Sequence, residues 1–423
     1  MKIPGATHVS FTRFCILASV LAASAFCAPA FAVTLTVANT ADSGAGSLRD
    51  ALASAAPGDT IAFSAGVSGT IALSSTLAVA QNVTIDGPGA ATLTLDGQNT
   101  VSIMSVAAAN TVTVSGLTFA NGMGTAGGAI QNAGTLSVAA SLFTANKANN
   151  GGAIQNVANA TISINDCTFQ NNTTTSVGGG ALLNIGVATV TNSTLTGNVA
   201  AVNGGAFNNQ PGGTLTVIND TFFGNQSNGL GGAISNLETV SIFDSTFAGN
   251  HGAGGSAIAT GTSTVTLDNS VFADNVSSAT PGAISGAGFT EASNNVFYNN
   301  TANGTADDQT GYATTAFVVA AAEPLKPLAD YGGPTQTMAP VAGGAASCAG
   351  SLALLPGGVT TDQRGLPRVS GSCLDAGSVQ VSQAAVVRVA VPALSVWALT
   401  LLATFIGGLS AASVRRRSRA VHR

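Results

Sequence analysis

Two short signatures alternate through the middle of this chain, and their spacing allows few folds. The first is Gly-Gly-Ala followed by an apolar residue. It stands at Gly127-Gly128-Ala129-Ile130, Gly151-Gly152-Ala153-Ile154, Gly179-Gly180-Ala181-Leu182, Gly204-Gly205-Ala206-Phe207 and Gly231-Gly232-Ala233-Ile234. Weaker copies follow at Gly255-Ser256-Ala257-Ile258 and Pro281-Gly282-Ala283-Ile284. The second signature is Phe-x-x-Asn, at Phe143/Asn146, Phe169/Asn172, Phe222/Asn225, Phe247/Asn250, Phe272/Asn275 and Phe297/Asn300, with Leu195/Asn198 as the one variant. Phe119 begins the series without the Asn. Self-similarity at a nearly fixed period, here about 25 residues, is the mark of a stacked repeat.

Each unit also holds a short alternating run, such as Thr161-Ile162-Ser163-Ile164, Thr214-Leu215-Thr216-Val217 or Thr264-Val265-Thr266-Leu267. Period-two alternation means a strand with one inward face. Several such strands in about 25 residues, with Gly and Asn at the corners, describe one turn of a β-helix. The fold expected is all-β: a right-handed, single-stranded parallel β-helix of the pectin-lyase-like kind, over residues 33–320. The Phe column should stack inward, and the Asn column should satisfy corner backbone groups and its own neighbours above and below. Ser47-Leu48-Arg49-Asp50 reads as a capping box opening a short helix that plugs the N-terminal end, with Leu48, Ala51 and Leu52 on one side. Past Phe317 the repeat is lost, and residues 321–385 are expected to form the other cap or a small stalk module.

The ends read as targeting segments. Lys2 and Arg13 precede and flank an apolar stretch, and Ala30-Phe31-Ala32 makes a cleavage site, so residues 1–32 are expected to be a signal peptide. The run Ala393–Val414 carries no charge and is followed by Arg415, Arg416, Arg417, Arg419 and Arg423. That pattern is long enough to span a bilayer. It predicts a transmembrane helix with a cytoplasmic Arg-rich tail within 386–423, and residues 33–390 outside the inner membrane. The two ends take 7 of the 13 Lys and Arg, leaving 6 against 18 acids, a balance of about −12. The exported part has no basic patch, which argues against nucleic acid as a partner. Three cysteines remain after cleavage. An oxidising compartment permits a Cys348–Cys373 disulfide, and Cys167, just before a core Phe, reads as a small buried thiol.

The alternating Gly-Gly-Ala-Ile and Phe-x-x-Asn pattern, over roughly residues 116–300, resembles the repeats of polymorphic outer membrane proteins. That resemblance implies a β-helical surface protein, often an adhesin. Those proteins end in a large autotransporter barrel, and the stretch after Asn300 is too short to hold one, so barrel-mediated secretion is not expected. The segment from Val37 to Arg49 looks like the start of many such bacterial β-helices. Tyr331-Gly332-Gly333-Pro334-Thr335-Gln336-Thr337, Thr361-Asp362-Gln363-Arg364-Gly365 and Asp375-Ala376-Gly377 resemble the choice-of-anchor module, which precedes several kinds of C-terminal anchor. Val391-Pro392-Ala393-Leu394-Ser395-Val396-Trp397-Ala398 is similar to the IPTL-CTERM sorting motif, with Val for Ile, Ala for Thr and Ala for Gly. The resemblance implies an inner-membrane exosortase-type processing enzyme as a partner, reading Val391, Pro392, Ala393, Leu394 and Trp397.

Parallel β-helices also include polysaccharide-cleaving enzymes, so a catalytic reading must be weighed. Such lyases need carboxylates around a cation and a base near the substrate, and the hydrolases need two or three close carboxylates. From residue 100 to 300 the acids are Asp166, Asp220, Glu238, Asp244, Asp268, Asp274 and Glu291, and Lys147 is the lone Lys or Arg. Asp220, Asp244 and Asp268 fall in consecutive coils, shortly before the core Phe, and form the one candidate carboxylate site. Other coils place Asn192, Asn219, Asn269 and Asn294 there, and Asp/Asn exchange is typical of turns. His251 has no neighbours in sequence to complete a metal site or triad, and Asp307-Asp308 reads as a solvated loop. No catalytic residue, metal or cofactor is assigned. The expectation is an exported, membrane-anchored or sorted structural or adhesin-like β-helix that meets an extracellular polysaccharide or a surface ligand. The alternative is a lyase or glycoside hydrolase acting on polysaccharide.

Overall fold

The computed structural model describes residues 32–261, 264–308 and 317–381. Their strands form a parallel β-solenoid of about 11 turns. One turn illustrates the rest: Ile130–Asn132 lies in sheet C, Thr135–Ala139 in sheet A, Leu142–Thr144 in sheet B and Lys147–Asn150 in sheet D. Sheets A and B each gather 11 strands, and sheets C and D gather 9. Within the sheets every pairing is parallel except the last in sheet D, where Thr301–Ala302 meets Thr305–Ala306 antiparallel.

Like residues lie over like. Phe119, Phe143 and Phe169 are register partners, as are Phe222, Phe247, Phe272 and Phe297. Their rings stack at centroid distances of 4.8 and 4.5 Å in the first run and 4.7, 5.0 and 5.1 Å in the second. All are fully buried, and each contributes about 1.5–3 kcal/mol by leaving water. Where Leu195 interrupts the column, Phe207 from sheet C packs edge-on against Phe222.

The first glycine of each pair is required by conformation and the second by crowding. Gly127 has φ +63°, and a Cβ on Gly128 would fall 2.3 Å from the carbonyl oxygen of Gly152 one turn later. The Asn residues form an uninterrupted ladder. Asn146, Asn172, Asn198, Asn225, Asn250 and Asn275 each donate Nδ2 to the Oδ1 of the next, at 2.8–3.0 Å. Asn300 closes it by donating to Asp308 Oδ1 at 2.9 Å. Asp307 accepts from Gly282 N at 3.0 Å. Neither acid is fully exposed, so the expected solvated loop is instead the terminus of the ladder.

Helix α1 (Leu48–Ser54) opens on Ser47, whose hydroxyl accepts from Asp50 N at 3.2 Å. Leu48 and Ala51 enter the solenoid core, with Leu52 packed against it. Strand Phe317–Val319 adds to the far end of sheet B. Residues 321–381 do not cap that end. They lie along the side of the stack, bonded to turns far earlier in the sequence, as Asn219 Nδ2 to Thr361 O at 2.9 Å shows. The physical reason is the outer face of sheet B. Ala248, Val271, Ala273 and Val296 point outward there and need cover, which Ala320, Leu325, Met338, Ala346 and Ala376 supply. Among the described residues no helix is long and apolar enough to cross a membrane. The expected span at 393–414 lies outside them, as do Ala30 and the sorting-motif residues Val391, Pro392, Ala393, Leu394 and Trp397. Ala32 is described and exposed.

Candidate functional site

The corner between sheets A and B carries four of the seven acids between residues 100 and 300: Asp166, Asp220, Asp244 and Asp268. One residue per turn adopts left-handed backbone there: Asp166 (φ 53°), Asn192 (53°), Asn219 (58°), Asp244 (50°), Asn269 (53°) and Asn294 (57°). Asn and Asp tolerate this conformation better than other side chains, which explains their exchange along the column. The three candidate carboxylates do not share a column. Asp268 closes a sheet A strand in register with Phe243 and Ser293. Asp244 occupies the left-handed corner, and Asp220 lies one position further on, in the inward column that includes Ser193, Ser245 and Ser270. The repeat brings them to one corner but offsets each by a residue.

Each of the three is committed to architecture. Asp220 is fully buried and accepts from Ser193 N at 2.6 Å and Ile218 N at 3.1 Å. It does for the turn before it what Ser245 and Ser270 do with hydroxyls in theirs. Burial pushes its carboxyl well above the ordinary range, against those two amide bonds. Asp268 accepts from Ser293 N at 2.9 Å. Burial, with Glu291 and Asp244 nearby, raises it to about 6. Asp244 pairs with Arg368 at 2.8 Å, and both side chains are wholly buried. Burial raises the Asp244 carboxyl while Arg368 opposes the rise.

Arg368 belongs to the lateral module and went unnoticed in the sequence, because nothing near it in the chain marks it. Its Nη2 also donates to Asp375 O and Gly377 O at 3.1 and 2.6 Å. Gln363 is the second rivet. Its Nε2 reaches Ser193 O, Thr194 Oγ1 and Thr335 Oγ1 at 3.1, 2.9 and 3.0 Å, while its Oε1 accepts from Thr221 at 2.6 Å. Asp362 and Arg364 pair at 2.7 Å beside it. Cys348 and Cys373 are joined as a disulfide within the module. Asp375 lies beside that bridge, close enough to group with the two sulfurs, but oxidised sulfurs offer no thiolate to a metal. Cys167 is buried in the solenoid, its thiol pushed up to about 12 by burial.

An open groove lies at the edge of the module, about 410 Å³ in volume. The loop Pro334–Gln336 forms one wall, and Ser141, Asp166, Thr168 and Gln170 form the floor. Asp166 is half-buried, takes a 2.6 Å hydrogen bond from Asn165, and is raised by burial. It is the one carboxylate lining this groove. The lining offers hydroxyls and amides suited to a hydroxyl-rich ligand, without the second carboxylate that hydrolysis needs. His251 and Lys147 are both exposed on sheet D, away from this groove.

No protein-family model and no curated sequence matches this chain. Among solved structures, the PL6 family alginate lyase AlyGC is similar at 13% identity and a TM-score of 0.31, over 68% of this chain and 51% of that one. An arginine-to-alanine mutant of the same enzyme aligns at 13% identity and 0.32, over 81% and 58%. The chain therefore spans about half the length of these lyases. The likeness is distant and concerns the β-helix alone.

Proposed function

We propose that this chain is an exported envelope protein whose solenoid acts as a rigid display scaffold rather than a catalyst. The observation that supports it is the employment of the buried carboxylates. Asp220 and Asp268 hold backbone amides, and Asp244 holds Arg368 of the lateral module. None is left facing solvent. The lateral module, with its choice-of-anchor-like motifs, then joins the scaffold to the C-terminal sorting segment, and an exosortase-type enzyme at the inner membrane would read Val391–Trp397. Deleting Val391–Arg423 tests this. Release of the protein to the medium or its retention in the periplasm is expected, and unchanged surface location rejects the sorting role.

A second reading, polysaccharide cleavage, draws on the groove beneath Pro334–Gln336, where Asp166 is raised by burial and within reach of a bound sugar. A raised carboxyl in a cleft is a usual property of a general acid. Incubation with a polyuronate and with a neutral glucan, for the natural protein and Asp166→Asn, separates the two. Cleavage that the variant lacks would replace the scaffold reading.

A further inference from the structure

The outer face of sheet A carries a regular array of hydroxyl groups. In seven consecutive turns the first two outward positions are Thr111/Thr113, Thr135/Ser137, Thr161/Ser163, Val187/Thr189, Thr214/Thr216, Thr239/Ser241 and Thr264/Thr266. All of these positions but Val187 bear a hydroxyl, and none bears a charge. Strand preference alone does not produce this, since it favours Val, Ile, Tyr and Phe as well as Thr. The next outward position on the same strands shows what the fold tolerates: Ser115, Ala139, Asn165, Thr191, Ile218, Phe243 and Asp268.

The array is in strict register. The strand pairings from Thr111–Ser115 to Thr239–Phe243 run without a shift, and Val265–Asp268 continues them. Hydroxyls therefore repeat every ~4.8 Å up the stack and every ~6.7 Å along each strand, over about 29 Å. All are at least partly exposed. Among the described residues, none of these hydroxyls makes a hydrogen bond within the protein, whereas Ser115 and Thr191 in the next column do. The lateral module covers sheet B and borders sheet A at Thr191 and Ile218 in that third column, and among the described residues nothing covers the first two columns.

We infer that this face docks on a crystal, and specifically on ice. A two-dimensional lattice of identical groups fits a partner with a two-dimensional repeat, which a folded protein or a flexible glycan lacks. The missing charge argues against an ionic mineral, whose surface would be met by carboxylates. Crystalline polysaccharide is neutral, but its sugar faces are met by flat aromatic rings, and the two columns contain none. What remains is a neutral, hydrogen-bonded lattice of water. The threonine methyl fills the gaps of that lattice while the hydroxyl continues it. This inference rests on sheet A alone and stands whether or not the chain is sorted to the surface.

The test is partition of the full chain, in nonionic detergent, into slowly grown ice, compared with a non-binding protein in the same detergent. Enrichment in the ice and faceted crystal growth are expected. Thr189→Tyr with Thr216→Tyr, at the centre of the array, should lower the enrichment about tenfold or more, as loss of central contacts does at a flat interface. Gln131→Tyr with Gln155→Tyr puts the same rings on adjacent turns of sheet C and should change nothing. If circular dichroism shows that the first pair disturbs the fold, Thr214→Lys alone makes the same test. Exclusion of the natural protein from ice, an unaffected sheet A variant, or sedimentation with microcrystalline cellulose or chitin in place of ice would each overturn the inference.

Discussion

Replacing Asn225 by alanine removes one step of the buried asparagine ladder, and the structure gives the cost. The Asn225 amide donates to Leu195 O at 2.9 Å and Asn250 Oδ1 at 3.0 Å. It accepts from Asn198 N at 3.1 Å and Asn198 Nδ2 at 2.9 Å. Asn250 Oδ1 keeps the Asn225 backbone N–H at 3.0 Å, and Asn198 Nδ2 keeps Phe169 O at 2.9 Å. The groups left unpaired are the Asn198 N–H and the second Asn198 amide hydrogen, while Leu195 O, which pairs in the sheet B ladder, loses its second donor, all in the fully buried interior. An unsatisfied buried group costs about 1–3 kcal/mol, so with some relaxation the sum is about 3–5 kcal/mol. Stacked repeats transmit such a loss mainly to adjacent turns. Guanidinium unfolding followed by circular dichroism measures it, with Asn149→Ala on the exposed surface as the reference, expected within about 0.5 kcal/mol of the natural protein. A loss below about 1 kcal/mol for Asn225→Ala would show that the ladder does not bind turn to turn.

Arg368→Ala strands the buried Asp244 carboxylate and should cost about 3–5 kcal/mol. Limited proteolysis should then cut within residues 320–381 while the solenoid stays resistant, and Asp244→Asn with Arg368→Met should restore protection. Equal resistance in natural and Arg368→Ala proteins would contradict the docking described. Asp268 titrates at about 6 in the folded chain against an ordinary 3.8. Between those values the folded state holds more protons, so stability falls as pH rises from 3.8 to about 6 and levels off above. A single group of this kind changes stability by about 1–3 kcal/mol across that window. Asp268→Asn should flatten that slope in pH-dependent melting, and an unchanged slope assigns it elsewhere. Cys167, raised to about 12, should resist alkylation at mildly alkaline pH until the protein is denatured, and fast native labelling would place it at the surface.

The solenoid could be read from the sequence because its ladders repeat one residue type at one spacing. Phe119, Phe143 and Phe169 announced the inward column, and Asn146 to Asn300 announced the corner ladder. A second ladder was missed. Asn132, Asn156, Asn184 and Asn209 each donate to the next, ending on Asn236, at 2.7–2.8 Å. Its signal was present as an Asn shortly after the apolar residue of the glycine signature, at 132, 156, 184, 209 and 236. The candidate carboxylates were harder. A one-residue offset between Asp220, Asp244 and Asp268 moves each to a different column, and a repeat whose length varies from turn to turn cannot fix such offsets. The lateral docking of residues 321–381 was beyond sequence reasoning, because Arg368 and Asp244 lie far apart in the chain and belong to no common repeat.

The account depends on vertical alignment of successive turns, and double electron–electron resonance measures it directly. Spin labels at Thr113 and Ser241 lie far apart in sequence but only five register steps apart in sheet A, through Ser137, Ser163, Thr189 and Thr216. Five steps of ~4.8 Å give a narrow distribution near ~24 Å, plus the reach of the labels. Moving the first label to Ser163 removes two steps and should shorten the distance by about 10 Å. A broad distribution, or a distance that does not shorten in proportion to the steps removed, would contradict the stacked register.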